Sequence, residues 1–276
     1  MFSTSLQTRS SRPGLTPTGS SSASTVRSLV DDVGAPRSPD VPSLAYSCSK
    51  TFTSAAVGIA VNRGAFGYDD TLADLWPQAC TANTGPVAKS MTVRNALSMS
   101  TGHSPEQLLE PTLVSRRLPD LNTARILLAT EPEGRPGIDF AYNNLATWML
   151  SRLVAQHTGE DVDTIITKEV LDPIGAGPHT WVRDADGIPM GFSGLHIDAE
   201  DLSLFGQLLL DDGVHEGARL LPEEWIRQHR VRQVNCDSET DPEWGMGYGC
   251  QAMGTLWTEP SASMSSSSPR LTPSSL

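Results

Sequence analysis

The stretch Tyr46-Ser47-Cys48-Ser49-Lys50-Thr51-Phe52-Thr53-Ser54 decides the reading of this 276-residue chain. A serine three residues before a lysine, at the start of a helix, puts hydroxyl and amine on one helical face. A neutral lysine amine so placed takes the serine proton and makes the oxygen a nucleophile. The chain has three lysines, Lys50, Lys89 and Lys168, and only Lys50 has a serine at that spacing. The small and apolar residues that follow predict a helix over 47–63, buried on most sides and ended near Gly64. Cys48 points in another direction from its neighbours on a helix, and a packed small residue is expected there rather than a second nucleophile.

Outward from this helix the chain changes character. Residues 1–44 are rich in Ser, Thr and Pro, and residues 259–276 are a low-complexity Ser/Pro tail. A globular domain is expected over 45–258, with poorly ordered segments on either side. No run of about 18 apolar residues marks a membrane span. No charged start followed by an apolar stretch marks a secretory signal, so a cytoplasmic location is expected. The acid-free residues 1–30 read as a tail rather than a transit peptide. The net charge is −12, and the segment between the two ends carries about −14, which argues against a nucleic-acid partner. Cys48, Cys80, Cys236 and Cys250 form no CxxC pair, and no histidine spacing indicates zinc. Neither a metal nor an organic cofactor is expected.

The pattern between is mostly helical. Thr92 predicts a capped helix through Met99, stopped by Gly102. Asn122 predicts a cap for Ala124 to Ala129. Leu145, Trp148, Met149 and Leu153 predict a helix over 143–157, with Gly159 as its C-cap. Asp198 with Asp201 predicts a start before Leu202, and Pro222 the first position of a helix through Ile226. Strand signals are sparse, at 179–183 and 246–252. Residues 191–195 miss the G-x-S-x-G nucleophile elbow by one place, because Leu195 stands last, and read as a loop.

A second chemical candidate is Tyr142-Asn143-Asn144, 95 residues after Ser47. A tyrosine with an asparagine two places on, at a loop-to-helix junction, presents both side chains to one cleft. Tyr142 could relay a proton to a leaving group. Asn144 could hold the lysine or a substrate amide. The plainer alternative is a half-buried Tyr142 with Asn144 capping the following helix.

Taken together and in order, these segments resemble the serine β-lactamase and penicillin-binding-protein superfamily. The likeness is to the class C-related branch, with its D-alanyl-D-alanine carboxypeptidase-like proteins and family VIII carboxylesterases. It covers roughly residues 41–250. Residues 46–54 match the nucleophile helix, and Tyr142 with Asn144 matches Tyr-x-Asn. Residues 68–77, 91–103, 171–175 and 191–213 are similar to further family segments. The resemblance implies an α/β (α+β) fold of a helical lobe plus an antiparallel sheet. It implies that Ser47 attacks an ester, amide or β-lactam carbonyl, and that Lys50 and Tyr142 share the proton transfers through an acyl-enzyme. Asn144 would orient the lysine and the small-molecule ester, amide or peptide substrate.

The third motif of that superfamily, Lys-Thr-Gly or His-x-Gly on a late strand, has no match here. No lysine follows Lys168 and no histidine follows His229. His157-Thr158-Gly159 spells a permitted form but falls where a helix should end. An incomplete sheet is therefore expected, with the nucleophile helix laid bare along the lost edge. A catalytically impaired protein is the alternative function. The abrupt composition change at both ends predicts altered ends, and translating the coding DNA in its other frames tests that.

Overall fold

The structure is a computed structural model that describes residues 42–104, 106–108, 120–236 and 247–252. The tail at 259–276 and nearly all of 1–44 lie outside the described residues, as does residue 246 of the second strand signal.

Helix α1, Ser49–Asn62, is the axis of the molecule. It follows a single 3-10 turn, Tyr46–Cys48, so the predicted helix begins as a tighter winding. Gly64 takes φ +74° just past its end, as a glycine stop requires. Its side chains from Phe52 to Ala60 are buried, many completely. The small residues Ala55, Ala56, Gly58 and Ala60 let neighbouring elements approach closely. Phe52 stacks on Phe205 with centroids 3.9 Å apart. A Cβ on Gly58 would lie 2.3 Å from Trp225 Cγ. The expectation that a short sheet would lay this helix bare is therefore wrong: packed side chains bury it instead.

The short helices α2, Leu72–Leu75, α3, Pro86–Ser90, and α4, Val93–Leu97, come next. Thr92 caps α4 as predicted, in a reciprocal box with Asn95. Helix α5, Leu121–Ala129, starts earlier than expected. Its cap is Asp120, which accepts from Thr123 N, and Asn122 lies inside the helix. Helix α6, Asn144–Thr158, crosses α1 and carries the predicted apolar face, with Leu145, Trp148, Met149 and Leu153 fully buried. Gly159 closes it at φ +76°, so His157-Thr158-Gly159 is a helix end. Helix α7, Val162–Ile166, runs into a π turn.

Three strands form one antiparallel sheet: β1, Ser43–Leu44, β2, Thr180–Trp181, and β3, Leu195–Ile197. β3 lies in the middle, with Leu44 opposite His196 on one side and Trp181 opposite Leu195 on the other. Helical lobe plus antiparallel sheet is thus the observed class, and among the described residues the sheet is small. β1 and β3 carry no strand signal in the sequence, because two or three residues are too few to display alternation. Helix α8, Ala199–Leu210, starts at Asp198, whose carboxylate accepts from Asp201 N as predicted. The hairpin of β4, Val214–His215, and β5, Ala218–Arg219, leads to α9, Glu223–Arg230. Pro222 stands one place earlier than expected, at the N-cap.

Residues 247–252 close the core. Tyr248 bridges Val234 and packs with Met99, Phe140 and Cys236. Buried Gln251 donates its side-chain amide to the Ala96 and Leu97 carbonyls and accepts from Thr147 Oγ1. His229 is enclosed beside this segment, stacked on Trp225, with Nδ1 at 3.1 Å from Cys250 O and no hydrogen-bond partner for Nε2 among the described residues. Burial holds its pKa down at about 4, against the ordinary 6.5. A depressed histidine gives stability that is complete above the ordinary value and drains as pH falls toward the folded one. His103, lowered mainly by burial, acts the same way, and His179, raised chiefly by its bond to Asp163, acts oppositely. The urea midpoint should fall between about pH 6.5 and 4. His229 alone would cost up to about 1.4 kcal/mol per pH unit. His229→Phe, which keeps the stack, should flatten that slope, and an unchanged slope would refute its part.

Candidate active site

The turn that carries Ser47 is hung on the sheet. Ala45 N donates to Leu195 O at 2.8 Å, and Leu195 N donates to Ser49 Oγ at 3.3 Å. Ser49 Oγ in turn donates to Tyr46 O at 2.6 Å. Tyr46 is held at φ +46°, a left-handed value that a non-glycine residue adopts at a cost of order 1–3 kcal/mol. The strain sits one residue before the exposed Ser47.

The Lys50 side chain rises from the first turn of α1 and is only 2% exposed. Its Nζ lies 3.2 Å from Ser47 Oγ and donates to the Phe192 carbonyl at 2.9 Å. It also stands 4.7 Å from the centroid of the Tyr142 ring and 5.8 Å from that of Phe192. Tyr142 comes from the loop before α6, and its hydroxyl donates to Ser47 Oγ at 2.8 Å. Lys50, three residues from Ser47, and Tyr142, 95 residues from it, therefore meet at one oxygen. Lysine and tyrosine are both within the reach a proton acceptor needs.

Asn144 is the first residue of α6, half-buried and two places beyond Tyr142. It does not cap that helix. Asn143 does, accepting from Ala146 N at 2.8 Å and donating to Thr101 Oγ1 at 3.1 Å. The alternative that assigned the cap to Asn144 is thus corrected. Cys48 is exposed, not packed as expected, because the 3-10 turn holds it outside the core.

Sequence reasoning missed Phe192. Its contribution is a backbone carbonyl, which no residue type announces. The loop that carries it begins at Gly191 (φ +74°) and ends at Gly194 (φ +89°), and those glycines mark a turn without saying which carbonyl meets Lys50. A cleft of about 730 Å³ lies elsewhere. It lies at the far end of α1 against Asn62, Arg63 and α9. Ser47, Lys50 and Tyr142 do not line it, and Arg63 and Arg227 there are paired with Glu160 and Glu224.

The profile of the Beta-lactamase family matches residues 25–258. This chain belongs to the Beta-lactamase family. Solved structures agree with its fold. A D-stereospecific amidohydrolase from Streptomyces sp. superposes with a TM-score of 0.62 at 19% identity, over 80% of this chain and 73% of that one. An octameric penicillin-binding protein homologue from Pyrococcus abyssi gives 0.60 at 19%, over 79% and 54%. The D-alanine carboxypeptidase AmpC from Burkholderia cenocepacia gives 0.54 at 22%, over 71% and 57%. The chain thus spans less than two thirds of the length of several relatives, at 54, 57 and 60%. Among the described residues of this Beta-lactamase family member, no helix is long and apolar enough to cross a membrane. No three His, Cys, Asp or Glu side chains there gather to hold a metal ion.

Proposed function

We propose that the chain is a serine hydrolase that works through an acyl-enzyme at Ser47. The observation that carries this reading is the convergence on Ser47 Oγ of Tyr142 Oη at 2.8 Å and Lys50 Nζ at 3.2 Å. Ser47 attacks the carbonyl carbon of an ester, amide or β-lactam. As its oxygen bonds to that carbon, its proton passes to the neutral Lys50 amine, which returns it to the Tyr142 oxygen when that phenol gives its own proton to the leaving group. Collapse of the tetrahedral adduct expels the leaving group, which takes the proton from Tyr142. Water then attacks the acyl-serine, with the same two side chains acting in reverse. Asn144, two residues from Tyr142, would hold the lysine or the substrate amide. Membership of the family supports a small ester, amide or peptide substrate, and the amidohydrolase among the structural neighbours is consistent with it.

A second reading is an impaired member of the same family. The sequence has no lysine after Lys168 and no histidine after His229 to form the third motif. A missing oxyanion donor costs about 2.7–4 kcal/mol of transition-state stabilisation in comparable enzymes. Mixing the folded chain with p-nitrophenyl esters separates the two. Continuous nitrophenolate release that disappears in Ser47→Ala is the hydrolase result. A single stoichiometric burst, or none, is the impaired one.

A further inference from the structure

Among the described residues, Lys50 is one of four side chains that donate to carbonyls of the loop carrying Phe192. The loop from Pro189 to Ser193 turns successive carbonyls toward side chains of the surrounding elements. Ser151 Oγ, on α6, donates to Pro189 O at 2.7 Å. Thr53 Oγ1, on α1, donates to Gly191 O at 2.9 Å. Trp181 Nε1, on β2, donates to Ser193 O at 2.9 Å. Thr53 and Ser151 are fully buried, so losing either hydroxyl leaves a carbonyl shut away from water without that donor. Thr53 lies one helical turn after Lys50 on the same face, and the two donate to adjacent carbonyls, Gly191 and Phe192. The fit is close: a Cβ on Gly191 would come within 2.9 Å of Ser151 Cβ and 3.3 Å of Thr53 Oγ1.

We propose that Thr53, with Ser151 behind it, is a positioning residue that fixes the 189–193 loop so that the Phe192 carbonyl holds the Lys50 amine against Ser47. Neither hydroxyl touches Ser47. Each acts on the direction of one carbonyl, and a nitrogen 3.2 Å from the nucleophile is sensitive to that direction. A misplacement of about 1 Å can cost about 10²-fold in rate. The inference rests on the role given to Lys50 above, and its test has a readout that does not need activity.

The full chain is reductively methylated with formaldehyde and borohydride, and modification of Lys50 is followed by peptide mass spectrometry. In parallel the rate of Ser47 capture by a fluorophosphonate is measured. The wild-type chain should protect Lys50. Thr53→Val, isosteric but without the hydroxyl, should raise Lys50 methylation at least tenfold and slow capture by about 10- to 100-fold. Thr53→Ser should restore both, and Ser151→Ala should resemble Thr53→Val more weakly. Ile165→Val in α7 provides a control of lowered stability, and Lys50 should stay protected in it. Thr53→Val with protected Lys50 and a merely lower melting temperature would overturn the proposal, as would failure of Thr53→Ser to restore protection. If the wild type captures no probe, the nucleophile reading fails, and methylation of Lys50 still decides the positioning.

Discussion

Lys50→Met slows covalent capture of a fluorophosphonate at Ser47 by about 10²- to 10⁴-fold, the usual contribution of a positioned proton acceptor. Methionine nearly matches the length of lysine and suits a site walled by the Tyr142 and Phe192 rings. The change therefore removes the amine without opening a void. It does leave the buried Phe192 carbonyl without its lysine donor, at a cost of about 1–3 kcal/mol in stability. A cooperative melt must accompany the rate measurement, so that slow capture is read on folded protein. Tyr142→Phe, which removes the 2.8 Å bond to Ser47 Oγ and keeps the ring, divides the labour. If Lys50 is the acceptor for the attack, its loss is the more severe for acylation. Equal capture by Lys50→Met and wild type would remove lysine from the mechanism.

Trp225→Ala is expected to lower the stability of the fold by about 3–5 kcal/mol, among the largest losses a single core truncation gives. Trp225 is fully buried, lies across Gly58 of α1, and donates from Nε1 to Ser54 Oγ at 3.0 Å. Ser54 Oγ passes the connection on to Cys250 O at 3.0 Å. One side chain thus fastens α9, α1 and the 247–252 segment together. Against a typical total of about 5–15 kcal/mol, its loss brings the chain near the unfolding threshold. The contact can be attacked from the other side. Gly58→Ala sets a methyl where Trp225 Cγ, Cδ1 and Cβ already lie within 2.6 Å, and overpacking of this kind costs about 1–3 kcal/mol. The double variant should be destabilised by less than the two losses added, because the methyl then occupies part of the space the indole left. Urea denaturation of the four proteins measures this, and strict additivity would mean that the two residues do not share the contact.

Much of the fold could be read in the sequence because its signals were local. Thr92 and Asp198 cap helices through their own side chains three residues ahead, and Gly159 is needed for a left-handed end, so each announces itself. The periodicity of Leu145, Trp148, Met149 and Leu153 reflects burial of one helix face against α1. Ser47 and Lys50 are legible for the same reason, since one helical turn sets their separation. The misreadings arose where two similar residues competed. Asp120 and Asn122 could each cap α5, and the box with Thr123 decides for Asp120. Asn143 and Asn144 could each cap α6, and Thr101, 42 residues away, takes the other end of Asn143. β1 and β3 escaped notice because pairing, not pattern, defines such short strands. The carbonyl of Phe192 was invisible for a different reason: any residue there would present the same atom, and only the tertiary placement of 189–193 makes it a partner of Lys50.

The central claim is that Ser47 is the nucleophile that Lys50 and Tyr142 serve. Peptide mapping by mass spectrometry, after folded protein has met a fluorophosphonate, tests it most directly. The account predicts one adduct, on Ser47, absent in Ser47→Ala at the same protein concentration. No adduct on folded protein, or one on the exposed Cys48 or on Ser193 that persists in Ser47→Ala, would contradict it.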